Sequence, residues 1–227
     1  MKNRNILVVV SKRPTPGQTK TRLVPPLSLE QAAALYECFL KDTLALMRRV
    51  PGVQCEIVYL PETECEYYSQ LAPEFGLRPQ EGADLGERLD HALQHYLNPR
   101  NCNVVIMDSD SPTLPSACLV QAFQALEDGA DVALGPCDDG GYYCIGLKQP
   151  APRLLREVQM STPNVTQETL QLAAEEGLQV SLLPTWYDID EINTLRRLVV
   201  ELENAPEDVA AHTRAFLAAP DLRERIW

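Results

Sequence analysis

Short apolar runs alternate with longer segments of helical spacing along nearly the whole chain. Residues 6–10 (Ile-Leu-Val-Val-Val) form an unbroken aliphatic run, the pattern of a strand buried on both faces. Residues 28–49 then place Ala32, Leu35, Tyr36, Phe39, Leu40, Leu44 and Met47 at helical intervals, and Ser28 with Gln31 predicts a capping box at the start. The same reading predicts strands at 55–60, 103–107, 131–134, 142–147 and 179–183. Helices are predicted at 62–72, 84–97, 115–127, 165–176 and 192–203, with a further helical tail from Pro206. Strands separated by helices need crossover connections, so the expected architecture is α/β, a mainly parallel sheet with helices on both faces. The segment 142–147 follows another strand directly and is expected to turn back antiparallel. Neither a repeat nor a long linker interrupts the 227 residues, which are read as one domain with a core at about 5–200 and a tail at 206–227.

Charge narrows the function classes. With 32 acidic and 20 basic residues the net charge is −12, which repels nucleic acid and anionic membrane over most of the surface. A nucleic-acid binder is therefore disfavoured. No apolar run approaches the roughly 20 residues of a bilayer span. Lys2 and Arg4 ahead of the first run resemble a signal peptide, but Ser11-Lys12-Arg13-Pro14 ends the run too early. The seven cysteines contain no C-x-x-C pair and are an odd number, which points to buried thiols in a cytoplasmic protein.

In open α/β sheets, ligands bind beyond the carboxyl ends of the strands. The loop after the first strand reads SKRPTPGQTKTRLVPP, with Lys12, Arg13, Lys20 and Arg22 and no acid. Gly17 allows close backbone approach, and Lys20 and Arg22, flanked by the donors Thr19 and Thr21, suit a polyphosphate. Neither a Walker loop nor a G-x-G-x-x-G fingerprint is present. Acids occupy the later strand ends: Asp108 and Asp110 in MDSDSP, Asp138 and Asp139 before Gly140-Gly141, and Asp188 and Asp190 in DID. Paired aspartates are hard oxygen ligands for Mg²⁺ or Mn²⁺, and crowded carboxylates become favourable around such an ion. Each acid also has a plainer reading, as a turn residue or, for Asp190, as the N-cap of the next helix.

Taken together, these motifs resemble a bacterial family of GT-A-type glycosyltransferases within the nucleotide-diphospho-sugar transferase superfamily. More distantly they are similar to phospholactate guanylyltransferase and the molybdenum-cofactor nucleotidyltransferases. The family pattern K-x-P-x-x-G-x-x-K-T-R-L appears as Lys12 through Leu23, Q-x-G-x-x-L-G-x-R as Gln80 through Arg88, D-x-P as Asp110-Ser111-Pro112, G-P-x-x-D-G-G-Y-Y as Gly135 through Tyr143, and the closing D-x-D element as Asp188-Ile189-Asp190. The resemblance implies a three-layer α/β/α Rossmann-like GT-A fold. It implies that Lys12, Gly17, Lys20 and Arg22 hold phosphates, that Gln80, Gly82 and Leu85 face the base, that Asp110 and Asp190 ligate Mg²⁺ or Mn²⁺, and that Asp139 lies near the acceptor. Asp108 stands in place of the family's usual glycine-led start and is read either as an extra ligand or as a loop acid. Glu191 stands where threonine is common, and Asn193-Thr194 where the family has Glu-Asp.

The residues leave the reaction open. The preferred reading is nucleotidyl transfer, in which an ionised phosphate or carboxylate acceptor attacks the α-phosphorus of a nucleoside triphosphate and pyrophosphate leaves over Lys20 and Arg22. The alternative is glycosyl transfer from a nucleotide-sugar, with Asp139 or Asp138 as base. A non-catalytic nucleotide-binding module is the third. In the tail, Val209, Phe216 and Leu217 form an apolar face for the same chain or for a second copy in a homodimer.

Overall fold

A computed structural model describes residues 3–98 and 102–227; Lys2 lies outside the described residues. Seven strands form one sheet: β1 (Arg4–Lys12), β2 (Val53–Leu60), β3 (Gly76–Pro79), β4 (Cys102–Met107), β5 (Val132–Pro136), β6 (Tyr142–Leu147) and β7 (Val180–Leu182), in the order β3-β2-β1-β4-β6-β5-β7. The pairs β1–β2, β1–β4, β2–β3 and β5–β7 are parallel, while β6 runs antiparallel between β4 and β5. The expected parallel sheet and the expected reversal at 142–147 are both present.

Helices are α1 (Leu29–Arg48), α2 (Cys65–Leu71), α3 (Leu85–Leu97), α4 (Ser116–Glu127), α5 (Arg153–Arg156), α6 (Val165–Glu175), α7 (Ile192–Asn204), α8 (Ala211–Leu217) and α9 (Pro220–Ile226). At the start of α1, Ser28 Oγ accepts from Gln31 N at 3.2 Å and Ser28 N donates to Gln31 Oε1 at 2.9 Å, which is the predicted capping box. Alternating side chains of the central strands feed two cores. Leu7, Val9, Val105 and Met107 pack with α1, α2 and α4, and Ile6, Val8, Val104 and Ile106 pack with α3, α5 and α6. This is the three-layer arrangement expected.

Two elements differ from the sequence reading. Strand β3 lies in a stretch read as loop, because four half-buried residues ending in a proline carry no alternation. Residues 62–72 split into a 3₁₀ turn (Glu62–Glu64) and α2. The tail is α8 and α9, and its apolar face packs within the chain: Leu217, Leu222 and Ile226 join Leu35 and Phe39 of α1 and Leu195 and Leu198 of α7. Asp42, buried in α1, accepts from His212 N at 2.9 Å and Thr213 N at 2.8 Å and so fixes α8.

The chain leaves β1 toward β2 on one side of the sheet and returns through α3 to β4 on the other. The strand order therefore reverses between β1 and β4, where such sheets hold ligands. Loops 13–26 and 108–115 meet at that point.

Candidate functional site

Distant charges converge at the reversal. Lys20 Nζ lies 2.7 Å from Asp110 Oδ1 and 2.7 Å from Asp190 Oδ1, and its side chain is 5% exposed. Arg22 Nη1 is 3.6 Å from Asp190 Oδ2, with most of the arginine free in solvent. Lys20 takes up the left-handed conformation (φ 49°, ψ 38°) just ahead of the 3₁₀ turn Thr21–Leu23. A non-glycine residue held there marks local strain, as is common where geometry serves a ligand. Burial alone would lower the Lys20 pKa, but Asp110 and Asp190 outweigh it and hold the ammonium above the ordinary lysine value.

The acids are fixed by backbone. Asp110 N donates to Asp108 Oδ1 at 3.1 Å, Ile189 N donates to Asp110 O at 3.0 Å, and Ser111 Oγ donates to Tyr187 O at 3.0 Å. The loops after β4 and β7 are thus stitched together, which brings Asp110 and Asp190 to one ammonium. A buried hydroxyl cluster ties the same loop to β1: Tyr36 Oη lies 2.8 Å from Ser109 Oγ and 3.3 Å from Ser11 Oγ, and Ser109 Oγ donates to Val10 O at 3.2 Å. Asp190 is not the N-cap of α7; Glu191 holds that position, and Thr194 Oγ1 accepts from Asp190 N and Glu191 N at 3.2 Å each.

Two adjoining cavities open here. The first, about 410 Å³, is lined by Lys12, Lys20, Arg22, Gln80, Leu85 and Arg88, with Asp108, Asp110 and Asp190 on its shared wall. The second, about 490 Å³, shares that wall and continues to Asp139, Asp188 and Glu191 over Leu89, Ile106, Tyr142, Met160 and Val165.

Of the residues singled out in the sequence, Lys12, Lys20, Arg22, Gln80, Leu85, Asp110 and Asp190 line the first cavity and Asp139 the second. Gly17 and Gly82 line neither. At Gly82 (φ 138°) a Cβ would meet Arg88 N at 2.8 Å, so this glycine lets the loop pass close over α3. Gln80 spends its amide donors on Ser11 O and Val58 O, at 3.0 Å each, and clamps β1 to β2.

Two residues were not singled out as ligands. Ser161, with φ 62°, lines both cavities, and no motif marks it. Arg88 closes a quoted motif, yet only the structure places it: it lines the first cavity, its Nε is buried with no hydrogen-bond partner, and it makes no ion pair among the described residues. A buried guanidinium nitrogen left unpaired is costly unless an anion completes it. Arg88→Ala is expected to raise the Kd for a nucleoside triphosphate about 10- to 100-fold, the equivalent of one charge-assisted hydrogen bond. Titration by calorimetry checks this, and an unchanged Kd would make Arg88 a scaffold residue.

Crowding shows in the acids without a cation. Burial and the neighbouring Asp190 and Asp139 push Asp188 up to about 6. Burial and Asp110 raise Asp108 well above the usual carboxylate range. The folded protein therefore binds a proton at Asp188 between about pH 4 and 6 that the unfolded chain has released, so stability falls as pH rises through that window. Asp188→Asn removes the penalty. Its Tm gain at pH 7.5 is expected to be about 3 °C, for roughly 1 kcal/mol after solvent screening, and to vanish near pH 4. Melting curves without divalent ions at the two pH values check it; a gain equal at both would exclude the titration.

Hard oxygens surround the cavities, but among the described residues no three acids, histidines or cysteines converge into a preformed metal centre. That set fits Mg²⁺ or Mn²⁺ held in the manner usual for nucleotides, by one or two carboxylates with substrate phosphates supplying the other ligands.

The family model described as "Uncharacterized protein conserved in bacteria (DUF2064)" matches residues 43–162, more than half of the chain. The chain belongs to the DUF2064 family. This DUF2064 protein is also similar, at 31% identity over 99% of both chains and a TM-score of 0.90, to the crystal structure of a candidate nucleotide-diphospho-sugar transferase from Desulfovibrio desulfuricans G20. 4-Diphosphocytidyl-2C-methyl-D-erythritol synthase matches at 14% identity and a TM-score of 0.59, over 88% of this chain and 99% of that one. Rv0371c of Mycobacterium tuberculosis H37Rv, in complex with manganese, matches at 16% identity and a TM-score of 0.56, over 87% and 98%. No curated protein matches the sequence. The DUF2064 protein thus has the Rossmann-like fold of the nucleotide-diphospho-sugar transferases. Among the described residues no helix is long and apolar enough to cross a membrane.

Proposed function

We propose that this protein is a divalent-metal-dependent transferase that passes a group to a small acceptor, either the nucleotidyl group of a nucleoside triphosphate as pyrophosphate leaves or the sugar of a nucleotide-sugar as the nucleoside diphosphate leaves. The observation that carries the reading is the Lys20 ammonium held between Asp110 and Asp190 at the floor of a cationic cavity. The description of the 31% identical relative as a candidate nucleotide-diphospho-sugar transferase supports it.

Lys12, Arg22 and Arg88 face the first cavity and would bind the phosphate chain there, while Lys20 sets the positions of the two aspartates. Asp110 and Asp190 would hold Mg²⁺ or Mn²⁺, and the manganese complex of the Mycobacterium tuberculosis neighbour agrees with that choice. Bound there, the ion would supply Lewis-acid stabilisation of the departing phosphate. Arg22, exposed at the mouth of both cavities, would meet charge developing on the leaving group.

Nucleotidyl transfer releases pyrophosphate. Glycosyl transfer releases a nucleoside diphosphate, and the carboxylates of the second cavity favour it by offering bases for an acceptor hydroxyl. Incubation with each nucleoside triphosphate and each nucleotide-sugar plus Mg²⁺, across an acceptor panel, is expected to yield one of the two products. Nucleotide binding without either product would mark a binding module and overturn the transferase reading.

A further inference from the structure

The second cavity differs in charge from the first. Asp108, Asp139, Asp188 and Glu191 line it and form no ion pair among the described residues, and the single cation on its wall is Arg22, at the rim shared with the first cavity. Its floor is apolar: Leu89, Ile106, Tyr142, Met160 and Val165.

The acid-bearing wall is built to stay in place. Asp139 Oδ1 accepts from Gly141 N at 2.8 Å, and Thr166 of α6 donates through N to Gly140 O at 3.0 Å and through Oγ1 to Gly141 O at 2.6 Å. A Cβ at Gly140 (φ 92°) would lie 1.9 Å from Pro163 O, so the loop after β5 packs directly on the 161–163 segment. The Asp139 carboxylate is thereby held on the wall of the cavity.

We propose that the second cavity takes an uncharged, hydroxyl-bearing acceptor with an apolar ring face, and that it rejects phosphorylated and carboxylate acceptors. The proposal rests on the transferase reading and narrows it. An anion would have to enter among the unpaired carboxylates of the wall beside a bound phosphate chain, and like charges at such range cost several-fold or more in affinity. One divalent ion shared by Asp110 and Asp190 would leave Asp139, Asp188 and Glu191 uncompensated. A ring face would cover the apolar floor, while its hydroxyls would donate to the wall, an arrangement common in small-molecule sites. In the sugar-transfer form the acceptor oxygen bonds to the anomeric carbon as the bond from that carbon to the diphosphate oxygen breaks. The diphosphate leaves with the electron pair, and the acceptor's proton passes to a wall carboxylate.

Met160 supplies a reporter, because it lines the second cavity and not the first. The full chain labelled with ¹³C at the methionine methyls is titrated, with Mg²⁺, first with ADP, GDP, CDP and UDP. It is then titrated with phenyl β-D-glucopyranoside and with the 6-phosphate of that glucoside. The uncharged probe is expected to shift the Met160 methyl and to bind at least tenfold more tightly than its phosphate. Asp139→Asn combined with Glu191→Gln is expected to narrow that ratio, which a purely structural role for the two acids would leave unchanged. Equal or tighter binding of the phosphate, or a Met160 signal unmoved by both probes, overturns the proposal. Failure of all four diphosphates to bind would instead sink the transferase reading beneath it.

Discussion

Lys20→Met is expected to slow transfer by about 10²–10³ and to loosen the fold together. The methionine keeps the length of the side chain and removes the one charge that Asp110 and Asp190 share at 2.7 Å. Asp110 then has no ion-pair partner among the described residues, and Asp190 keeps only Arg22 at 3.6 Å. Fully buried, such a loss costs about 3–5 kcal/mol; here the partners are 34% and 40% exposed, so about 2 kcal/mol is expected, a fall in Tm of roughly 4–8 °C. Its pH dependence has a definite sign. Burial works to raise the Asp190 pKa, but Lys20 holds it below the ordinary value, so the stabilisation is present at neutral pH and is lost as pH falls through the folded-state pKa. The Tm difference between wild type and variant should therefore persist from neutral pH down to about pH 4 and shrink only below it. Nucleotide affinity and transfer rate should fall by about 10²–10³, the usual cost of removing a positioned charge from such a site. Lys20→Arg keeps the charge and is expected to restore most of the stability and little of the rate, since a planar guanidinium cannot bridge the same two oxygens. A Lys20→Met protein that binds and turns over nucleotide normally would remove the ammonium from the site altogether.

What could be read from the sequence followed the strength of each local signal. The run at 6–10, the long helix with Ser28 and Gln31 at its cap, and the return of 142–147 all depend on patterns a few residues wide, and all are present. Strand β3 and the single turn α5 were not legible. An edge strand of four residues has no second face to alternate with, and Arg153–Arg156 is too short to show a period. At the site, the sequence marks which strand ends carry charge, because the charged residues come close after apolar runs. It does not show the pairing. That Lys20 sits between Asp110 and Asp190 follows from the contacts between Asp110 and Ile189 and between Ser111 and Tyr187, which join segments nearly eighty residues apart. The same holds for Gln80, whose amide is used by the backbone, and for Arg88, whose isolation is a three-dimensional property.

Asp110 and Asp108 sit two residues apart and should behave in opposite ways. Asp110→Asn keeps the size of the side chain and removes a negative charge that Lys20 would share with a divalent ion. Nucleotide binding in the wild type is expected to tighten on addition of Mg²⁺ or Mn²⁺; in Asp110→Asn that response should disappear, with transfer down by about 10²–10³ or more. The weaker, metal-independent binding through Lys12, Arg22 and Arg88 should remain, which separates loss of the ion from loss of the cavity. Asp108 is different. Burial and the adjacent Asp110 raise its pKa well above the usual carboxylate range, and its Oδ1 is already engaged by Asp110 N at 3.1 Å. A carboxyl so placed resists ionisation and serves the turn that presents Asp110. Asparagine can accept the same N–H, so Asp108→Asn should leave the metal response close to wild type and, like Asp188→Asn, raise the Tm at neutral pH. Calorimetric titrations of nucleotide with and without Mn²⁺ on the two variants decide the assignment. If Asp108→Asn loses the response and Asp110→Asn keeps it, the ion belongs to Asp108, and the geometry of the shared wall has to be read from that residue instead.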